Sequence, residues 1–132
     1  MKKSRLRKES KQPISKIQRD LWQECRRIAG KRYKPICYTC GTKGLEGSNK
    51  QLGHMLPKST LGAYLKYDLR LLRWQCMRCN IHGGGMGAIF IENMRDIEGD
   101  EYVDQILRDR NVTVKAYDHY KKLLEEYKLI KR

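Results

Sequence analysis

Four cysteines fall in two pairs of equal spacing, Cys37-x2-Cys40 and Cys76-x2-Cys79, with 35 residues between the pairs. Two thiolates so spaced on a tight turn can face one ion, and two such turns complete the tetrahedral S4 shell that zinc accepts in structural sites. Gly41, directly after the first pair, suits such a turn. Two separate disulfides or a thioredoxin-like redox pair are the alternative uses. Redox chemistry needs only one pair and a βαβ setting, and neither suits this pattern. Structural Zn2+ on Cys37, Cys40, Cys76 and Cys79 is therefore the expected cofactor, and a shell filled by four thiolates holds a fold without reacting. The fifth cysteine, Cys25, lies on an apolar helical stripe and reads as a buried thiol.

Beside these pairs lie two of the three histidines. His54 sits in Gly53-His54-Met55-Leu56-Pro57-Lys58-Ser59, between the pairs. Asn80-Ile81-His82, followed by Gly83-Gly84-Gly85, comes straight after the second pair. A neutral imidazole suits the activation of water near pH 7. Phosphodiester hydrolysis also calls for a divalent cation to offset phosphate charge, and Asn80 or His82 could supply ligands near the strand that carries His54. The third histidine, His119, falls in a polar-faced helical segment.

The balance of charge fits a polyanionic partner. The formal net charge is +14, and residues 1–34 alone carry 13 Lys/Arg against 3 Asp/Glu. Clustered cations neutralise phosphates and release counterions, so Lys2, Lys3, Arg5, Arg7 and Lys8 in the arm, with Arg26, Arg27, Arg70, Arg73 and Arg78, are the expected nucleic-acid contacts. A solvated tail and an anionic lipid surface are the competing readings of the same charge. With 39% hydrophobic and 33% charged residues and a mean hydropathy of −0.78, the core is lean and benefits from a metal staple. No run approaches the roughly 20 apolar residues of a membrane span, so a soluble, cytoplasmic protein with no membrane partner is expected.

These residues must be held by a small α+β scaffold. Residues 1–12 have no periodicity and read as a disordered basic arm, and 13–132 as one domain. Within it, 13–34 predicts an amphipathic helix: Ser15 is the N-cap, Gly30 ends it, and Ile17, Leu21, Trp22, Cys25, Ile28 and Ala29 form the apolar stripe. Residues 35–87 form the zinc module, in which 35–60 predict short strands and turns, 61–75 follow no clean period, and Asn80 caps or opens a helix. In 88–132 the expected helices run from Ala88 to Glu98 (stopped by Gly99), from Asp100 to near Arg110, and from Val114 to Leu129. The stripe of Tyr117, Tyr120, Leu124 and Tyr127 on the last reads as core rather than as a base-stacking surface.

Taken together, Cys37-Tyr-Thr-Cys-Gly41, Gly53-His54, Tyr67-Asp68, Trp74-Gln75-Cys76-Met-Arg-Cys-Asn80 and Gly99-Asp-Glu-Tyr-Val-Asp-Gln-Ile106 resemble the zinc-knuckle HNH endonucleases. They are most similar to the NinG/Rap recombination nucleases of lambdoid phages, over roughly residues 35–107. The resemblance implies a ββα-metal fold in a treble-clef-like zinc frame and metal-dependent cleavage of DNA, including branched or single-stranded recombination intermediates. It makes His54 the water-activating base and Asn80 a ligand of catalytic Mg2+ or Mn2+, with His82 as a further ligand candidate. It also implies action in the host cytoplasm for a phage-encoded chain, and a homodimer would suit paired cuts across a junction. Two positions depart from the pattern. Gly53 stands where many HNH nucleases carry an acidic or histidine metal ligand, and Leu71 falls near the place of the middle Asn that orients the base. A non-catalytic zinc-dependent nucleic-acid-binding module and a factor that docks on a replication or transcription machine are the competing readings.

Overall fold

The sheet is minimal. In a computed structural model that describes residues 12–131, β1 (Gln51–His54) pairs antiparallel with β2 (Leu72–Gln75) in the register Gln51↔Gln75 to His54↔Leu72. Two strands alone are marginal in water, so they must be covered. All four residues of β2 are buried, and their alternation sends them two ways. Trp74 donates its indole N–H to the Ala29 carbonyl of α1 (Ile14–Arg32) at 3.3 Å. Arg73 reaches Glu98 of α3 (Gly87–Glu98) and Tyr102 of α4 (Asp100–Asp109).

The expected stripe of α1 is buried at Ile17, Leu21, Cys25, Ile28 and Ala29, with Trp22 packed against the core from its edge. The helix begins after Pro13 and continues through Gly30 to Arg32, with no side-chain cap. A glycine inside a helix costs about 1 kcal/mol, and the burial of the adjacent Ile28 and Ala29 offsets it. Cys25 is a buried thiol whose pKa is pushed up to about 12, by burial first and then by the charges of Asp68 and Glu24, so it stays protonated and inert.

The segment without clean periodicity holds a one-turn helix α2 (Ala63–Lys66), a 3-10 turn at Leu69–Leu71 and then β2. Elements this short leave no repeat to detect. After β2 comes a π-helical turn, Arg78–His82, with Asn80 inside it rather than capping a helix. Gly84 (φ +65°) and Gly85 (φ +90°) then reverse the chain into α3. Gly99 separates α3 from α4 at φ +97°.

Against α1 lies α5 (Ala116–Lys128), whose Tyr120, Leu124 and Tyr127 are buried as expected of core. Tyr127 donates its hydroxyl to the Tyr67 carbonyl at 2.8 Å, and Tyr67 meets Tyr120 edge to face at 5.1 Å. No helix among the described residues is long and apolar enough to cross a membrane. Residues 1–11, with Lys2, Lys3, Arg5, Arg7 and Lys8 and nearly all of the expected arm, lie outside the described residues.

Candidate metal centre and active cleft

The turn before β1 and the turn after β2 bring the two cysteine pairs together. The sulfurs of Cys37, Cys40, Cys76 and Cys79 all lie within 4.8 Å of one another, and none is in a disulfide. Around a tetrahedral zinc with bonds of about 2.3 Å, sulfurs stand about 3.8 Å apart. The Cys40 and Cys76 sulfurs are 3.7 Å apart. Backbone and hydroxyl donors shape the two turns. The Gly41 amide donates to the Cys37 carbonyl at 2.9 Å, with Gly41 at φ +78°, and the Cys79 amide reaches the Cys76 sulfur at 3.4 Å. The Thr39 hydroxyl lies 3.4 Å from the Cys37 sulfur and the Thr42 hydroxyl 3.1 Å from that of Cys40. A four-sulfur donor set of this geometry fits zinc, and its closed shell leaves no position for chemistry.

Next to this centre is a cleft of about 330 Å³, lined among others by Trp22, His54, Lys58, Asn80, Gly84 and Gly85. His54 ends β1. Its ring lies parallel to the Trp22 indole, 3° between planes and 5.6 Å between centroids, and its Nε2 is 2.9 Å from the Lys66 carbonyl of α2. A carbonyl only accepts, so Nε2 carries the proton and Nδ1 keeps its lone pair. Burial, aided by the charges of Lys58 and Lys66 and opposed by the Lys66 carbonyl, pushes the His54 pKa down to about 4. At neutral pH the imidazole is an uncharged base with one tautomer selected. The Lys66 carbonyl thus orients the ring. Leu71 is itself buried core, and its own carbonyl accepts from the Met55 amide at 2.8 Å.

Asn80 enters the cleft from the π-helical turn. Its Nδ2 donates to the Gln51 side-chain oxygen at 2.8 Å, which leaves Oδ1 on the side of Gly53. A β-carbon on Gly53 would stand 3.0 Å from that Oδ1 and 1.8 Å from Oε1 of Gln75. A side chain at position 53 would therefore have to push the Gln75 amide aside, because this diagonal neighbour on β2 already fills the space above it. Gln75 is 0% exposed, and its Nε2 donates to the Gly85 carbonyl at 2.9 Å and to the Thr39 hydroxyl at 3.0 Å. Its Oε1 is buried with no hydrogen-bond partner, alone in this among the described residues. Sequence reasoning passed over Gln75, although the glycine on the facing strand was the available signal.

His82 closes the π-helical turn, exposed and away from the lining of the cleft, so His54 and Asn80 are brought together without it. Among the described residues no carboxylate lines the cleft. The basic residues also divide. Arg73, expected on phosphate, is 2% exposed and lies over the rings of Tyr33 and Tyr38, which corrects that assignment: a buried guanidinium cannot meet a polyanion. Arg70 is held between Asp68 at 2.7 Å and Asp109 at 2.9 Å. Arg27 pairs with Glu24 and donates to carbonyls at the end of α5. Both are engaged by the fold and do not stand free for phosphate. Arg26 is half-buried over the Trp74 ring at 5.1 Å. Arg78 is exposed, and a hydrogen bond to the Cys40 sulfur holds its pKa above the ordinary value. Lys58, whose ammonium stands 5.8 Å from the Trp22 ring, is the cation that lines the cleft.

Comparison with protein-family models, with curated proteins and with solved structures finds no match to this chain.

Proposed function

We propose that this chain is a metal-dependent DNA endonuclease of HNH type, in which His54 activates water for attack on a phosphodiester. The carrying observation is His54 itself: neutral at pH 7, held in one tautomer by the Lys66 carbonyl, and lining a cleft together with Asn80 and Lys58. The succession β1, β2, π-helical turn and α3 around the four cysteines supports a ββα-metal reading in a treble-clef-like zinc frame.

In this reading Nδ1 of His54 takes a proton from water as the water oxygen bonds to phosphorus. The bond from phosphorus to the leaving ester oxygen breaks, and that oxygen takes up a proton from solvent. Lys58, in the cleft lining, offsets phosphate charge, and Trp22 stacks on the imidazole and holds its plane. Asn80 would hold catalytic Mg2+ or Mn2+ through Oδ1, and such an ion, when bound, supplies charge stabilisation to the phosphate and the leaving oxygen. Branched or single-stranded DNA is the proposed substrate class, read by shape and phosphate contacts, and a homodimer would place two clefts for paired cuts.

The second reading is a non-catalytic zinc-dependent nucleic-acid-binding or machinery-docking protein, and the lack of a carboxylate in the described cleft lining favours it. The two separate on cleavage of labelled duplex, flap and four-way-junction DNA with Mg2+ or Mn2+, comparing wild type with His54→Ala. Cutting that needs the divalent ion and is lost in the variant, with DNA binding retained, supports the nuclease. Binding without cutting by the wild type rejects it.

A further inference from the structure

The orphaned Gln75 oxygen is the least explained polar atom among the described residues. A buried acceptor without a partner is destabilising. The amide cannot simply be turned over to relieve it, because the Gly85 carbonyl accepts and so fixes which end of the amide is nitrogen. Its second donor contact, to the Thr39 hydroxyl between the first two zinc-site cysteines, holds the amide from the other side. Oε1 is therefore locked in place, over the α-carbon of Gly53 and one residue from His54 in sequence. The Asn80 amide is oriented one step further out, by its donation to the Gln51 amide oxygen while Gln51 donates to the Ser48 carbonyl at 2.9 Å, and its Oδ1 faces the same point. Two carbonyl-type oxygens, each with its nitrogen tied back, converge where a side chain on residue 53 would have been. Converging acceptors call for a cation or a donor between or before them, and amide oxygens are ordinary ligands of hard divalent ions.

We propose that Gln75 Oε1 and Asn80 Oδ1 form the protein half of a divalent-cation site against Gly53, beside the His54 cleft whose lining Asn80 shares, a site made by the fold in place of a carboxylate. The inference rests on the nuclease reading only for its purpose, since the ion can bind whether or not DNA is cut. Both ligands are neutral, so the site binds the free ion weakly and gains affinity when phosphate oxygens complete the shell. Through Thr39 and Gly85, Gln75 also ties the cation site to the zinc centre and to the glycine turn. The zinc centre would in this way set the position of a ligand for a second metal that it does not touch.

The test uses the full-length, zinc-loaded chain, with Mn2+ as the probe. Mn2+ affinity is measured from the electron-paramagnetic signal of the unbound ion, with and without a non-cleavable phosphodiester oligonucleotide, on wild type, Gln75→Met, Gly53→Ala and Asn80→Ala. Zinc content and circular dichroism report the fold. Gln75→Met keeps the side-chain length but removes the oxygen together with the two Nε2 donor contacts, and Gly53→Ala displaces the oxygen while leaving residue 75 unaltered. The expected result is at least a tenfold loss of Mn2+ affinity in each of the three variants, with one zinc retained per chain. Should Gln75→Met fail to hold zinc, Gly53→Ala decides alone. In the wild type, side-chain amide resonances of Gln75 and Asn80 broaden at the lowest Mn2+ levels, before those of other amides. Affinity within twofold of wild type in both Gln75→Met and Gly53→Ala overturns the proposal, whether Asn80→Ala binds or not. So does a wild type that binds no Mn2+ with phosphate present, which would leave an ordered water as the partner of Oε1. Mn2+ binding that depends on Gln75 without any DNA cleavage keeps this site and rejects the nuclease. Cleavage indifferent to Gln75 does the reverse.

Discussion

Replacing Arg73 by methionine tests whether the most buried cation among the described residues serves the fold or a nucleic acid. Its guanidinium donates to the Leu72 carbonyl at 2.8 Å, to those of Arg70 and Leu69 at 3.3 and 3.4 Å, and to Glu98 at 3.3 Å. It also stands 4.4 Å from the Tyr33 ring centroid and 5.7 Å from that of Tyr38. Methionine follows the path of the stem and removes all of this at once. Hydrogen bonds from a charged donor contribute about 1.5 to 3 kcal/mol each, and a desolvated cation over an aromatic face about 2 kcal/mol. The desolvation of the buried charge, several kcal/mol, works against these and disappears with it. The balance is a destabilisation of about 3 to 5 kcal/mol, the range for breaking a buried charged network. Chemical denaturation of the zinc-saturated protein measures it. The same variant, under conditions where it is folded, is then titrated with DNA over a range of salt. A phosphate contact contributes about 0.9 to the slope of log affinity against log salt, and Arg73 is expected to contribute none. Stability within about 1 kcal/mol of wild type, together with a slope flattened by about 0.9, would refute the reasoning on both counts.

Two further outcomes follow from the site geometry. Removing zinc with a chelator is expected to abolish cooperative unfolding, because the four cysteines tie the segment before β1 to the turn after β2; a sharp melt after complete zinc removal, followed by calorimetry, would contradict this. His54 has a folded pKa of about 4 against an ordinary value of 6.5, so the unfolded chain binds the extra proton and stability is lost as pH falls from 6.5 towards 4. Discounted for partial exposure, the wild type should lose about 1 to 2 kcal/mol more than His54→Gln between pH 7 and pH 5, and parallel losses in denaturant titrations of the two zinc-saturated proteins would falsify that assignment.

Much of the scaffold was legible because long helices leave a repeat. The stripe Ile17, Leu21, Cys25, Ile28 and Ala29 marks α1 in the sequence, and Gly99 marks the break between α3 and α4. The cysteine spacing likewise announces one four-sulfur centre, since the turns that bring thiolates together are local. What stayed hidden depends on long-range pairing. Lys66 and His54 are 12 residues apart, and nothing in either marks a carbonyl that selects a tautomer. Charge is misleading for a similar reason. Arg27, Arg70 and Arg73 look like any other basic residue until Glu24, Asp68, Asp109 and the tyrosines close around them. Gln75 shows the same effect in the opposite sense, since a neutral side chain becomes conspicuous only when its oxygen is found without a partner.

The clasp between α1 and α5 bears on the order in which the protein can be assembled. Arg27 donates to the carbonyls of Tyr127, Ile130 and Lys131, across sequence separations of 100, 103 and 104 residues. Trp22, the wall against which His54 lies flat, belongs to the same helix as Arg27. During synthesis, α1 emerges long before the segment that anchors it, and contacts of such span form late and slowly. The four-cysteine centre, closed by residue 79, could take up an ion while α1 still lacks its partner on α5. A ribosome-bound chain would then carry its metal before it carries a finished cleft, and whatever that cleft does begins only once α5 has been made and has docked.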